Sequence, residues 1–191
     1  MSKSINIGIV WAPASGKTMI ASQLKDSWYN IFVEPARAFI DASLLDWKKY
    51  AATMKQLTSS IVQDELFQTL KANLTKQANW LWFHDTTLVD ALAHRCANDI
   101  EIRSIVSDVM SMRYDHIFYV QHPGAFQSRE NSPEKLAELM RLDQYKRAYL
   151  ALTGYMGDHL VTEVPIMEDL GDLSRNEYII NMLKDKNMIS H

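Results

Sequence analysis

The chain opens with a short apolar segment that leads directly into a loop and then into a helix-forming segment. Residues 5–10 have the composition of a buried strand, residues 11–16 form a loop that is mostly Ala, Pro, Ser and Gly, and residues 17–27 favour a helix. A strand, a small-residue loop and a helix in this order open an α/β fold. This succession constrains the architecture more than any other stretch of the chain.

The rest of the chain alternates in the same way. Apolar runs that end at polar or turn-forming residues predict four further strands, at residues 31–34, 80–84, 114–120 and 159–164. Helix-forming segments fall between them: two helices within residues 41–77 with a break near 58–60, then helices at 89–97, 100–112 and 132–152, and a closing helix after Ser174. Five apolar strands separated by helices predict a three-layer α/β sandwich, with a mostly parallel sheet covered on both faces.

The first loop matches the phosphate-binding pattern Gly, four residues, Gly-Lys-Ser/Thr, except at its first position. Gly16, Lys17 and Thr18 are in place, whereas the first Gly is replaced by Trp11. In such a P-loop the backbone N–H groups surround phosphate oxygens, the lysine reaches the β- and γ-phosphates, and the Ser/Thr hydroxyl binds Mg²⁺. The strand before the loop and the helix after it are the context that this chemistry needs. We therefore predict a P-loop NTPase fold that binds ATP with Mg²⁺.

Asp85 follows the third predicted strand and is the candidate second ligand of Mg²⁺. P-loop enzymes hold the metal with an acidic residue at the end of a neighbouring strand. Asp85 could alternatively be the N-cap of the next helix. Thr86 and Thr87 could contact a sugar hydroxyl or cap that helix, and His84 is expected to be a half-buried strand residue.

Two further charged residues follow the second predicted strand, in the sequence Val33-Glu34-Pro35-Ala36-Arg37. Ligands of parallel sheets bind at the carboxyl ends of the strands, so these residues should lie beside the P-loop. Glu34 could act as a general base or bind a sugar hydroxyl, and Arg37 could bind a phosphate of the acceptor. The alternative for both is a surface ion pair.

In their order along the chain these motifs resemble the NadR-type family of small, AAA-like P-loop kinases, to which ribosylnicotinamide kinase domains belong. The matching segments are the Gly-Lys-Thr loop, Glu-Pro-Ala-Arg, His-Asp-Thr-Thr, the strand Tyr-Asp-His-Ile-Phe-Tyr-Val, an arginine-bearing loop and a long helix. The resemblance covers residues 5–184. It implies one kinase domain over residues 1–191, with a small lid at about residues 122–133.

The resemblance also implies roles for individual residues. The nucleotide-binding set that it implies is Ala14, Ser15, Gly16, Lys17, Thr18 and Met19. Arg129 would close over the phosphates, and Glu34, Arg37 and Thr86 would contact the substrate. The chain departs from the family at Trp11, at Thr87, where the family has an acidic residue, and at Gln127. These departures leave open whether the acceptor is a nucleoside or a nucleoside monophosphate.

Two functional hypotheses follow. In the first, the protein is an ATP-dependent kinase with Lys17, Asp85, Glu34 and Arg129 as catalytic residues and with Thr18 and Asp85 as metal ligands; the base is Asp85 or Glu34. In the second, it is a nucleotide-binding ATPase or regulator without a small-molecule acceptor. A DNA-linked ATPase is disfavoured by the acidic composition.

Composition limits the partners and the cellular setting. The net charge is −3 with a pI near 6.1, so stable binding to nucleic acid or to an anionic membrane is not expected. The single cysteine, Cys96, excludes an internal disulfide and a structural zinc site of cysteines. No signal peptide or membrane-spanning segment is recognisable. We expect a cytoplasmic protein, in a bacterium or a phage-infected cell, that acts on a small nucleoside or nucleotide; a homodimer is compatible with these features.

Overall fold

The computed structural model describes residues 4–11, 17–27, 29–41, 47–75, 80–121, 133–166, 169–171 and 173–189. The five strands are β1 (Ile5–Trp11), β2 (Asn30–Phe32), β3 (Leu81–His84), β4 (His116–Val120) and β5 (Val161–Val164). They form one sheet in the order β2-β3-β1-β4-β5, and every neighbouring pair is parallel. The predicted parallel α/β architecture is confirmed, with the strand that precedes the P-loop at the centre of the sheet.

Eight helices lie in the described part of the chain. They are α1 (Lys17–Asp26), α2 (Pro35–Asp41), α3 (Trp47–Leu57), α4 (Ser60–Thr75), α5 (Leu88–Ala97), α6 (Arg103–Ser111), α7 (Pro133–Leu152) and α8 (Arg175–Asp185). Helix α2 was not expected, because Pro35 was interpreted only as the end of a strand. Strand β2 ends at Phe32, and Pro35 instead opens a helix, a position where proline is well tolerated. None of these helices is long and apolar enough to cross a membrane.

Two apolar clusters cover the two faces of the sheet. On one face, Ile20 and Leu24 of α1 and Ile179 and Leu183 of α8 are fully buried against alternate residues of the strands. On the other face, α4, α5 and α7 pack on Val10, Ile117 and Tyr119. The alternation along β1, with Ile9 facing one cluster and Val10 the other, is the two-residue period of a strand buried on both sides.

Gly8 lets helix α5 approach the central strand closely. A Cβ at this position would lie 2.9 Å from Thr87 Cγ2 and 3.2 Å from a side-chain carbon of Ile117. Since Thr87 directly precedes α5, even one methyl group at Gly8 would push the start of that helix away from β1. We expect Gly8→Ala to lower the free energy of unfolding by about 1–3 kcal/mol, measured by urea denaturation. Gly171→Ala is not a matched control, because Gly171 has a positive φ of 59°. Gly157→Ala is a better one, because a Cβ at that position would meet only the main-chain oxygen of Gly154, at an ordinary contact distance of 3.7 Å.

His84 is fully buried, which corrects the expectation of a half-buried residue. Its Nε2 donates a hydrogen bond of 2.9 Å to Asn6 Oδ1, since that amide oxygen can only accept. Burial lowers the pKa of His84 to about 4. Burial also lowers the pKa of His116 to about 4, with a smaller contribution from the positive charge of Lys186.

These two histidines predict a pH dependence of stability. Between pH 6.5 and about 4, the two histidines bind protons in the unfolded chain but not in the folded protein. They therefore cost no stability well above pH 6.5, and the free energy of unfolding falls as the pH is lowered through this range. For His84 the loss between pH 6.5 and pH 5 is about 1.5 kcal/mol. We expect His84→Gln to flatten the plot of unfolding free energy against pH in this range, and His84→Gln/His116→Gln to flatten it further. A slope in the single variant equal to that of the wild type would contradict the assignment.

Candidate active site

β1 extends beyond β3 at the carboxyl edge of the sheet. Pairing between these strands stops at Gly8 and His84, where β3 ends, whereas β1 remains paired with β4 up to Trp11. The last residues of β1, just before the P-loop, therefore have a strand partner on one side. The carboxyl edge is also the edge at which parallel α/β sheets bind ligands.

Trp11, the residue that replaces the first glycine of the P-loop pattern, is buried in the apolar cluster beneath α1 and α8. Only 3% of its surface is exposed. Its indole Nε1 donates a hydrogen bond of 3.1 Å to the main-chain oxygen of Asp85. The bulky side chain is therefore turned into the core, and it joins the end of β1 to the residue that follows β3.

Helix α1 begins at Lys17, as the motif requires. Its N-terminal end carries the partial positive charge that favours a phosphate. Of the other nucleotide-binding residues predicted, Ala14, Ser15 and Gly16 lie outside the described residues, and so do the side chains of Lys17 and Thr18. Met19 is half exposed, whereas Ile20 anchors the helix to the sheet. The contacts of Lys17 and Thr18 with a nucleotide stay predictions.

Asp85 is not the N-cap of α5, which excludes one of its two interpretations. The cap is Thr87, whose hydroxyl accepts from Asp90 N, while the Asp90 carboxylate accepts from Thr87 N. Thr87 is fully buried, and its hydroxyl and amide are both used in this capping box. The Asp85 side chain, with 5% of the residue exposed, is thereby left for a role other than capping the helix.

Asp85, Glu34 and Arg37 line one cleft of about 190 Å³. Residues of α1, of β2 with the segment after it, and the residue after β3 form the walls. The lining consists of Ala21, Ser22, Lys25, Ile31, Val33, Glu34, Arg37 and Asp85. The structure thus brings together three of the charged residues predicted from the strand ends. Thr86, which was predicted to contact the substrate, is not among the lining residues and is 9% exposed.

Lys25 is a cation of this cleft that sequence reasoning missed. A signal was available, because positions 21, 22 and 25 stand three, four and seven residues after Thr18, which is the spacing of one helical face. The cleft therefore combines two carboxylates with two cations. Such a set can hold a metal ion, a hydroxyl group and an anionic group side by side.

The residues present fit a magnesium ion that is bound mainly through a nucleotide. Among the described side chains, no group of three or more His, Cys, Asp or Glu residues could hold a metal by itself. Mg²⁺ in phosphate-transferring proteins commonly takes one or two protein oxygens and completes its shell with phosphates and water. The carboxylate of Asp85, in the lining of the cleft, is an oxygen donor of the kind that Mg²⁺ prefers.

A second cleft has a volume of about 310 Å³, and one of its lining residues follows directly in the sequence on a lining residue of the first cleft. The second cleft is lined by Pro35 at the start of α2 and by four residues of α4: Val62, Glu65, Leu66 and Thr69. Its walls are mainly apolar, and Pro35 directly follows Glu34. Phe67, on the same helix, is fully buried in the core.

Arg129 and nearly all of the predicted lid lie outside the described residues, which resume at Pro133 with α7. Arg147 of α7 lies over the ring of Tyr119 in β4, at 4.3 Å from its centroid, and contacts Asp143 and Glu163 at 3.1 Å each. This cluster stabilises α7 against β4 and β5. It was not predicted, since only Asp143 is a near neighbour of Arg147 in the sequence, whereas Tyr119 and Glu163 belong to other elements.

A comparison with protein families identifies the family to which the chain belongs. Residues 6–160, from β1 to the residue before β5, match a family described as AAA domain. The chain belongs to this AAA domain family. The resemblance to the NadR-type, AAA-like P-loop kinases is confirmed at the level of family and fold. No curated protein matches the sequence of this AAA domain.

Solved structures similar to this AAA domain include NadR and a deoxyadenosine kinase. NadR in complex with NR has a TM-score of 0.70 at 13% identity, covering 98% of this chain and 52% of the NadR chain. NadR in complex with NAD and AMP-PNP has a TM-score of 0.61 at 14% sequence identity. Deoxyadenosine kinase from M. mycoides with bound dCTP has a TM-score of 0.57 at 18% sequence identity. The match covers 95% of this chain and all of that kinase. The AAA domain thus spans about half of NadR and has the fold of nucleoside kinases.

Proposed function

We propose that this protein is an ATP-dependent phosphotransferase whose acceptor is a nucleoside or a nucleoside monophosphate. The observation that carries the proposal is the cleft in which Asp85, Glu34, Arg37 and Lys25 meet beside helix α1. A nucleotide switch needs a phosphate loop and a metal ligand. The additional carboxylate and the two cations next to them suit the binding of a second substrate.

The roles of the residues follow from their chemistry. The start of α1 and Lys17 would bind the β- and γ-phosphates of ATP, and Thr18 and Asp85 would hold Mg²⁺. When bound, the metal neutralises charge on the phosphates. Glu34 or Asp85 would accept a hydrogen bond from the acceptor hydroxyl and orient it toward the γ-phosphate, because phosphoryl transfer depends mostly on positioning and electrostatics. Arg129 would add positive charge at the transferred group.

The cations of the cleft bear on the acceptor class. Arg37 and Lys25 line the same cleft as Glu34 and could bind a phosphate on the acceptor, the guanidinium through two parallel hydrogen bonds. The apolar cleft at Pro35 and Leu66 is the neighbouring space that a base could enter. Among proteins of this fold, NadR has been solved with NR, and deoxyadenosine kinase from M. mycoides with the products dCMP and dCDP, a monophosphate and a diphosphate. Both acceptor classes are therefore retained, together with a single kinase domain over residues 1–191.

A panel of acceptors tests the proposal. The protein is incubated with Mg-ATP and, separately, each common ribo- and deoxyribonucleoside, nicotinamide riboside and each nucleoside monophosphate, while ADP release is followed. We expect ADP formation to rise at least about tenfold above the acceptor-free rate with one acceptor class. ADP formation that is the same with every acceptor would instead support the alternative, an ATPase or regulatory protein without a small-molecule acceptor.

A further inference from the structure

A buried lysine of helix α7 connects three elements at the opening of the P-loop. The ammonium of Lys146 lies 2.6 Å from Asp90 Oδ1 and donates a hydrogen bond of 2.9 Å to the main-chain oxygen of Trp11. The side chains of Lys146 and Asp90 are 6% and 4% exposed. One ammonium thus joins α7 to α5 and to the last residue of β1.

The same ion pair continues to the segment that carries Asp85. Asp90 Oδ2 accepts hydrogen bonds from Thr87 N at 2.9 Å and from Thr87 Oγ1 at 2.8 Å. Thr87 stands two residues after Asp85, in the turn between β3 and α5. The position of this turn is therefore fixed through Asp90 to the same ammonium that holds the end of β1.

No backbone pairing joins β1 and β3 between this turn and Trp11. The ladder between the two strands ends at Gly8 and His84. Beyond that point, two of the side-chain links between the strand ends bear directly on their separation. One is the indole of Trp11, which donates to the Asp85 main-chain oxygen at 3.1 Å. The other is Lys146, which reaches Trp11 directly and the Asp85–Thr87 turn through Asp90.

We propose that Lys146 is a positioning residue that sets the separation between the end of β1, from which the P-loop emerges, and Asp85. This inference rests on the proposed function, because the separation matters only if the loop and Asp85 bind the same Mg-nucleotide. A buried ion pair adds little stability over apolar residues of similar size, since both charges must be desolvated. What apolar side chains would not supply at this point is a charged donor to the Trp11 carbonyl.

A double variant separates positioning from stability. Lys146→Met alone would leave the Asp90 carboxylate buried without the ammonium and would destabilise the protein. Lys146→Met/Asp90→Asn removes both charges. The amide oxygen that it introduces at position 90 can still accept the hydrogen bonds from Thr87. The matched control is Lys71→Met/Asp108→Asn, which makes the same two substitutions in an ion pair of the same length, 2.6 Å, between α4 and α6.

The readouts are the thermal midpoint, the dissociation constant for Mg-ATP by calorimetry, and the two KM values. We expect Lys146→Met/Asp90→Asn to recover most of the midpoint lost in Lys146→Met, yet to bind Mg-ATP about tenfold more weakly than the wild type. The KM for the acceptor should stay within about twofold, and the control should bind Mg-ATP as the wild type does. Equal affinity of the double variant and the wild type would show that Lys146 is only structural.

A second measurement does not depend on nucleotide binding. If the wild type binds no Mg-ATP, the proposed function fails, and the geometry is tested by hydrogen exchange of the Trp11 indole N–H, assigned in NMR spectra with Trp11→Phe. We expect this proton to exchange at least about tenfold faster in Lys146→Met/Asp90→Asn, because Trp11 is then no longer held against Asp85. An unchanged exchange rate overturns the inference. If the double variant does not fold, Lys146→Arg, which keeps the charge but not the position of the donor, is measured in the same way.

Discussion

Replacing Lys17 with alanine is expected to abolish acceptor-dependent ADP formation, lowering kcat/KM at least about a thousandfold. The physical reason is that the lysine of a P-loop neutralises charge on the β- and γ-phosphates, and charge stabilisation supplies most of the catalysis of phosphoryl transfer. Lys17 is the first residue of α1 and lies at the carboxyl end of β1. The measurement is the rate of ADP release with the best acceptor of the panel.

Two controls make this result specific to the loop. Lys71→Ala removes a lysine from α4, where it pairs with Asp108 of α6, and should leave the rate within about twofold of the wild type. Circular dichroism should show that Lys17→Ala folds normally. A Lys17→Ala variant that is folded and keeps more than about a tenth of the activity would mean that the P-loop assignment is wrong.

The largest expected effect on stability is that of Asp90→Ala. This substitution removes the acceptor of both Thr87 hydrogen bonds at the start of α5 and leaves the ammonium of Lys146 buried without its carboxylate. Breaking one partner of a buried ion pair costs about 3–5 kcal/mol, because the remaining charge stays desolvated. We therefore expect the free energy of unfolding, measured in urea, to fall by about that amount.

Asp108→Ala provides the comparison for Asp90→Ala. Asp108 pairs with Lys71 at the same distance of 2.6 Å, but the two side chains are 31% and 35% exposed. Water can solvate the lysine that remains, so the expected loss is below about 1 kcal/mol. If the two substitutions cost the same, burial of the Lys146–Asp90 pair is not what makes it important.

The fold could be predicted in large part because its signals are local. Strands β1, β3 and β4 lie within apolar runs that end at a loop or a polar residue. Ser174 caps α8 with a capping box that is recognisable from the sequence. Helix α2 was missed for a local reason as well, since the proline at position 35 can end a strand or begin a helix. Its seven residues are too few to show a clear helical period.

The candidate site likewise contains residues that could be predicted from local sequence signals and residues that could not. Because parallel strands end at one edge of the sheet, the meeting of Glu34, Arg37 and Asp85 could be predicted from their places after two strands. Lys146 could not, since the residue whose oxygen it binds lies 135 positions earlier in the chain. The burial of the Trp11 side chain could not be predicted either, because its direction depends on the helices packed against that face of the sheet.

The central position of β1 also determines when its surroundings can form during synthesis. β1 precedes the other four strands of the sheet, yet its two neighbours are β3, which ends at His84, and β4, which ends at Val120. Until β4 has emerged, one side of β1 lacks its backbone hydrogen-bond partners, and such long-range pairings form late in folding. The nucleotide-binding motif occupies the first twenty residues, but it depends on the first two thirds of the chain, so a short N-terminal fragment should not bind ATP.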